Sequence, residues 1–169
     1  MRALIRTLIF CVVCIGFSSE AISTESGNTD ADAMGLLLQF RTGDPVALTK
    51  NLIPTSEDYK AAYKDPFAKK LEDSQKPMFD SENVSIAPKS GQTEVLLWCV
   101  DSQEVIDRSQ SVRDHFPGGY AKVGEHIKPG NRICRFKFVQ PGETSGMAYD
   151  GLIYVNGQWK IMPKPWRAL

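Results

Sequence analysis

The clearest hydrophobic pattern along the chain lies in its last forty residues. Two runs of β-forming residues, 151–155 (GLIYV) and 158–162 (QWKIM), flank Asn156-Gly157. An Asn-Gly pair suits a two-residue type I′ turn, because both central residues take positive φ. That turn sets the pairing: Val155 opposite Gln158, Tyr154 opposite Trp159, Ile153 opposite Lys160, Leu152 opposite Ile161. Opposed residues share a face. Leu152, Tyr154, Trp159 and Ile161 therefore form one apolar surface, expected to be covered, while Ile153, Val155, Gln158, Lys160 and Met162 form a mixed one. Continuing the alternation backwards puts Asp150 and Ala148 on the apolar surface. A carboxylate there admits two readings. It ends the strand or sits in a solvated bulge before Gly151, or it is a partly buried acid lining a pocket, with a raised pKa.

Upstream, 132–140 also alternates. Cys134, Phe136 and Phe138 share one face, and Ile133, Arg135, Lys137 and Val139 the other, as in a half-buried strand. Turn residues bound it at 128–131 and 140–144. The segment 120–127 reads as the preceding strand. Residues 94–100 (EVLLWCV) are almost all apolar, which predicts a strand buried on both faces or at the sheet centre. Asp101 and Glu104 are spaced as a capping box for a short helix or ordered loop reaching Asp114.

The first half of the chain is patterned for helices. Ala33, Leu36, Leu37 and Phe40 follow helical spacing over 30–42. Asp44-Pro45 supplies a cap and an N1 proline for a second helix. A third covers 55–63, with Tyr59 and Tyr63 one turn apart as core contacts. Asp65-Pro66 starts a fourth, which Lys76-Pro77 is expected to end. Residues 81–92 read as loop.

Composition and charge then narrow the picture. Residues 1–21 carry two early arginines, an apolar run of about eleven residues and small residues before a cleavage point, the pattern of a signal peptide. The run is too short to span a bilayer, which takes ~20 residues. The expectation is secretion or periplasmic export, a polar disordered lead over 22–29, and a single domain over 30–169. Cys11 and Cys14 leave with the signal. Cys99 and Cys134 remain in an oxidising compartment, so a disulfide is favoured over two buried thiols. Two cysteines and two histidines at no ligand spacing predict no metal. Residues 22–83 hold seven Lys/Arg against eleven Asp/Glu, and residues 84–169 hold eleven against eight. The near-neutral sum argues against nucleic acid or an anionic membrane as partner. The split reads as acidic helices docking beside a basic sheet. The alternative is an exposed basic face of Arg132, Arg135, Lys137 and Lys160 that receives an acidic partner.

Helix, Phe40-Arg-Thr-Gly-Asp44, further helices, then an antiparallel sheet closing on Gly157-Gln-Trp-Lys-Ile161: this order resembles the nuclear-transport-factor-2-like, or cystatin-like α+β, superfamily over about residues 30–162. The resemblance implies N-terminal helices packed on a curved antiparallel sheet of four or more strands, with a cavity between helices and inner sheet face. It would make Tyr154, Trp159, Leu152, Asp150, Phe136 and Phe138 the ligand-contacting set. Members include isomerases, dehydratases and non-catalytic binding modules, so fold does not set function. No nucleophile triad, phosphate loop, dinucleotide fingerprint or cofactor motif is present. Three readings stand. One is an exported non-catalytic module for a small ligand or protein partner. Another is a cavity enzyme with Asp150 as base and Tyr154 or His126 as donor. The last is a homodimer built through the outer sheet face. His115 and His126 lie near turns and read as satisfied polar residues. Trp166, in the proline-rich tail, is expected to pack against the body.

Overall fold

The structure is a computed structural model that describes residues 27–169. The segment expected to be a signal peptide, 1–21, and most of the expected polar lead, 22–29, lie outside the described residues. Four helices come first: α1 (Asp30–Gln39), α2 (Pro45–Asn51), α3 (Ser56–Ala62) and α4 (Phe67–Phe79). The first three start on side-chain caps, and α4 follows Pro66 without one. Thr29 and Asp32 form a reciprocal capping box on α1, and Thr55 and Asp58 form another on α3. Asp44 accepts the Val46 N–H at 2.9 Å ahead of Pro45. Such caps satisfy the free N–H groups of a first turn. Helix α4 runs through Pro77 rather than ending there. Pro77 falls in the last turn, where a missing N–H leaves only one carbonyl without its partner.

The sheet is a four-stranded antiparallel meander in the order β1 (Glu94–Asp101), β2 (Arg132–Val139), β3 (Gly146–Val155) and β4 (Gln158–Ile161). The β3–β4 register is the one the Asn-Gly corner predicts, with Asn156 at φ 51 and Gly157 at φ 78. Asp58 holds that corner by accepting the Asn156 side-chain N–H at 2.8 Å. Between β1 and β2 the chain folds as α5 (Ser102–Ile106), α6 (Gln110–His115) and α7 (Tyr120–Val123). The α5 start is the Asp101/Glu104 box, with the Asp101 N–H donating to Glu104 at 3.3 Å.

Two strand expectations are corrected. Residues 120–127 are a helix and a turn. Tyr120, Val123 and Ile127, all fully buried, are spaced three and four apart and meet the core along one helical stripe. Strand β1 is an edge strand, not a central one: it pairs only with β2 and most of its side chains are half-buried. The fold class is α+β, with four helices N-terminal to the sheet and three short ones inserted into it.

Both faces of the sheet are covered. Cys134, Phe136, Phe138, Leu152 and Ile161 pack under Ala33, Leu37 and Phe40 of α1 and its C-cap, with Leu52 and Ile86 beside them. Ile133, Ile153, Val155 and Met162 pack against Tyr59, Tyr63, Phe67, Leu71 and the aromatic residues of the α5–α7 region. The face that reads as mixed is therefore as buried as the apolar one. Even Lys160 is buried there, its ammonium reaching the Asn51 carbonyl at 3.4 Å. Cys99 and Cys134, opposite each other on β1 and β2, form a disulfide. Trp166, in the closing 3₁₀ turn (Pro165–Ala168), packs edge-on against Tyr120 at 5.4 Å.

The four basic residues share no exposed face. Arg132 pairs with Asp30 at the start of α1 (2.6 Å) and with Asp101 (3.0 Å), an acidic helix docking on a basic strand. Arg135 and Lys137 both stand about 5.7 Å from the Trp98 ring, which His115 stacks against.

Candidate functional site

The site begins with one extra residue. Cys134 pairs with Leu152 and Phe136 with Tyr149, so Asp150 and Gly151 together oppose Arg135. Gly151 takes φ 79, a conformation glycine adopts without the Cβ penalty. A Cβ there would also stand 2.2 Å from the Met162 carbonyl oxygen. Because side chains alternate with a period of two, the bulge reverses the faces of everything before it. Tyr149 joins Phe136 and Leu152 on the α1 side, where its ring stacks on Phe136 at 5.2 Å. Asp150 turns to the opposite side.

This corrects the expected site. Asp150 does not share a surface with Leu152, Tyr154 and Trp159. Tyr154 and Trp159 do face the same way, in edge contact at 5.3 Å and half-buried. Leu152, Phe136 and Phe138 are fully buried core residues. His126 stacks on Phe67 at 4.6 Å and is not among the hydrogen-bond partners of Asp150, which are Tyr120 and Lys164. The bulge before Gly151 is present, but the acid in it is buried rather than solvated.

Asp150 lies at the base of an open cleft of about 560 Å³. Helix α4 gives one wall, through Gln75, Met78 and Phe79. The segment 84–86 gives the other, and the first half of β3, Met147 to Asp150, gives the floor. The chain leaving β4 closes one end with Pro163, Lys164 and Arg167. Each wall is fixed by buried or partly buried hydrogen bonds. The Tyr59 hydroxyl donates to Gln75 (2.7 Å), whose side-chain N–H donates to the Pro163 carbonyl (2.7 Å), tying α3 and α4 to the end of β4. Thr49 accepts the Ile86 N–H at 2.8 Å, and the Tyr149 hydroxyl bridges the N–H and carbonyl of Ala87.

One carboxylate oxygen of Asp150 accepts the Lys164 N–H at 2.8 Å and the Tyr120 hydroxyl at 3.3 Å. Burial raises the Asp150 pKa above the ordinary carboxylate value, and those two hydrogen bonds with the Lys164 and Arg135 charges oppose the rise without cancelling it. Burial pushes the Tyr120 hydroxyl well above the usual phenol range, and the Asp150 charge adds to this. Tyr120 is therefore a hydrogen-bond donor and not a proton source near neutrality. Among the described residues no group of three or more His, Cys, Asp or Glu is placed to hold a metal ion, and no helix is long and apolar enough to cross a membrane.

Of the expected ligand-contacting set and the candidate donors, only Asp150 reaches this cleft; Ala148 and Ile161, placed on the same surface by the sequence pattern, also line it. Met78, Met147, Lys164 and Arg167 were not singled out. Their one sequence signal is Gly151 inside a strand beside an acid, which marks a bulge but not what faces it. Searches against protein families, curated proteins and solved structures find no match to this chain.

Proposed function

We propose that this chain is an exported, non-catalytic binding module whose ligand occupies the cleft between α4 and the first half of β3. One observation carries the reading: an opening of about 560 Å³ with apolar walls and a single buried carboxylate at its base. That is the usual make-up of a ligand site, mostly apolar with a few fixed polar groups. The disulfide suits an oxidising compartment, which supports export. Membership of the nuclear-transport-factor-2-like superfamily belongs to the same proposal. Its support is the order of helices and antiparallel strands, although the opening lies at the sheet edge and not over the inner face.

The test uses 1-anilinonaphthalene-8-sulfonate, an apolar fluorophore. The wild type should bind it at one site. Ala148→Trp, which fills the cleft floor, should abolish binding, and Leu38→Ala, on an exposed apolar side chain of α1, should not. Binding unchanged by Ala148→Trp overturns the proposal.

A second reading is a proton-transfer enzyme of the isomerase or dehydratase kind, with Asp150 as base. It draws on the raised pKa of a buried carboxyl. The hydroxyl beside the base is that of Tyr120, which hydrogen-bonds Asp150, and not that of Tyr154 or the imidazole of His126. Deuterium uptake from D2O into an enolisable cyclic ketone, lost in Asp150→Asn, would support it. Equal rates with and without the protein would end it.

A further inference from the structure

The cleft floor is an open sheet edge. Strand β4 pairs with β3 only from Leu152 to Val155, and the last backbone bond on that side runs from the Met162 N–H to the Gly151 carbonyl at 2.8 Å. Pro163 follows, and Lys164, at φ 50 and ψ 50, turns the chain away into the closing 3₁₀ turn. The first half of β3 is left with β2 on one side and the cleft on the other.

The register shows which groups point outward. Ile161 sends its N–H away from β3, to the Leu52 carbonyl at 2.9 Å. Leu152, opposite Ile161, therefore turns its own backbone groups to β2. Carried through the bulge, the alternation turns Tyr149 and Met147 to β2 and Ala148 and Gly146 to the cleft. Both of these are exposed, and neither has a hydrogen-bond partner on that side among the described residues. An unpaired row of N–H and C=O groups is a template for another backbone in extended conformation.

Resting on the binding reading above, we infer that the occupant is an extended peptide segment, added as a short strand beside Gly146–Asp150. Four residues of strand span about 13 Å. Main-chain bonds to Ala148 and Gly146 supply affinity, and alternate side chains supply selectivity, as in strand addition generally. Side chains of the added strand point in turn toward Met78 on α4 and toward Val84 and Ile86 on the other wall, so apolar residues fit both. At the β4 end, Lys164 and Arg167 are exposed and make no ion pair among the described residues. That end favours a carboxylate, from a free C-terminus or an acidic side chain.

The test is affinity selection from a random heptapeptide pool by the oxidised domain, with free-acid and amidated pools run in parallel. Retained peptides are then synthesised with N-methyl groups at alternate amides. We expect apolar peptides bearing a carboxylate, at least tenfold weaker when methylated in one alternation and little changed in the other. Ala148→Pro removes the outward donor and leaves the β2 ladder intact, and should weaken binding at least tenfold. Enrichment from the free-acid pool alone assigns the carboxylate to a C-terminus, and enrichment from both assigns it to a side chain. No retained peptide, or equal affinity in both methylated series, overturns the inference. In that case fluorophore binding lost in Ala148→Trp would leave the cleft as a site for small ligands, whereas its persistence would remove both readings.

Discussion

Replacing Gly151 by alanine tests the bulge on which the site depends. Two costs add. An L-residue at φ 79 sits in the left-handed region, which costs roughly 1–2 kcal/mol. The new methyl would also lie 2.2 Å from the Met162 oxygen, 2.6 Å from its carbon and 3.0 Å from the Pro163 Cα, all backbone atoms that cannot rotate away. Relief needs a shift of the end of β4. That shift loses the Met162–Gly151 bond, about 0.5–1.5 kcal/mol net, and strains packing around a fully buried Met162, about 1–3 kcal/mol. The expected loss for Gly151→Ala is the sum, about 2.5–6.5 kcal/mol. Gly157→Ala is the matched control. Its φ is 78, yet nothing lies within 4 Å of the added Cβ, so it should lose only the backbone part, about 1–2 kcal/mol. Urea unfolding of both variants, oxidised and at neutral pH, gives the comparison. Losses equal to within about 0.5 kcal/mol would refute the close approach of β4 and the bulge geometry with it.

Other outcomes follow from the same contacts. At neutral pH Asp58→Ala should cost about 2–4 kcal/mol, since it removes a capping partner and charge-assisted bonds from Thr55 and Asn156. Burial alone would raise the Asp58 pKa, but the Thr55 and Asn156 hydrogen bonds hold it below 3.8. Its contribution is therefore full above the unfolded value and lost as pH falls through the folded one. A cost that does not shrink in acid would contradict this. Asp150 has the opposite sign. Its folded pKa is raised, so wild-type stability should decline as pH rises from the unfolded value of 3.8 through the folded one, and Asp150→Asn should not show that decline. Parallel curves for the two proteins would show that Asp150 is not held up by burial. Joint Cys99→Ser and Cys134→Ser replacement should cost about 3–4 kcal/mol by loop entropy for a separation of 35 residues. A urea midpoint unchanged by the double replacement would remove that contribution.

What the sequence disclosed was local, and what it concealed was long-range. Asn156-Gly157 announces its hairpin because turn type and register are decided within four residues. The caps at Asp44 and Asp101 are legible for the same reason. Asp150 is different. A strand pattern counted in twos holds only while no residue is inserted, and the insertion at Gly151 moves Asp150 from the Tyr154 side to the Tyr120 side. The burial of β1 misleads because an apolar run looks alike at a centre and at an edge, where α1 and α6 flank it. Residues 120–127 look like a strand because of their aromatic start and β-branched content, although their apolar spacing is helical. The cleft draws on the end of α4, the 84–86 segment, the start of β3 and the turn at Lys164. No stretch of the chain carries a sign that these four converge.

Nuclear Overhauser contacts from the Asp150 β-protons, observed in a sample labelled at aspartate, bear most directly on where that acid lies. Cross-peaks to the Tyr120 ring and to the Lys164 amide, with none to Trp159, are the expected result. Cross-peaks to the Tyr154 or Trp159 rings would return Asp150 to the opposite face of the sheet and leave the cleft without its carboxylate.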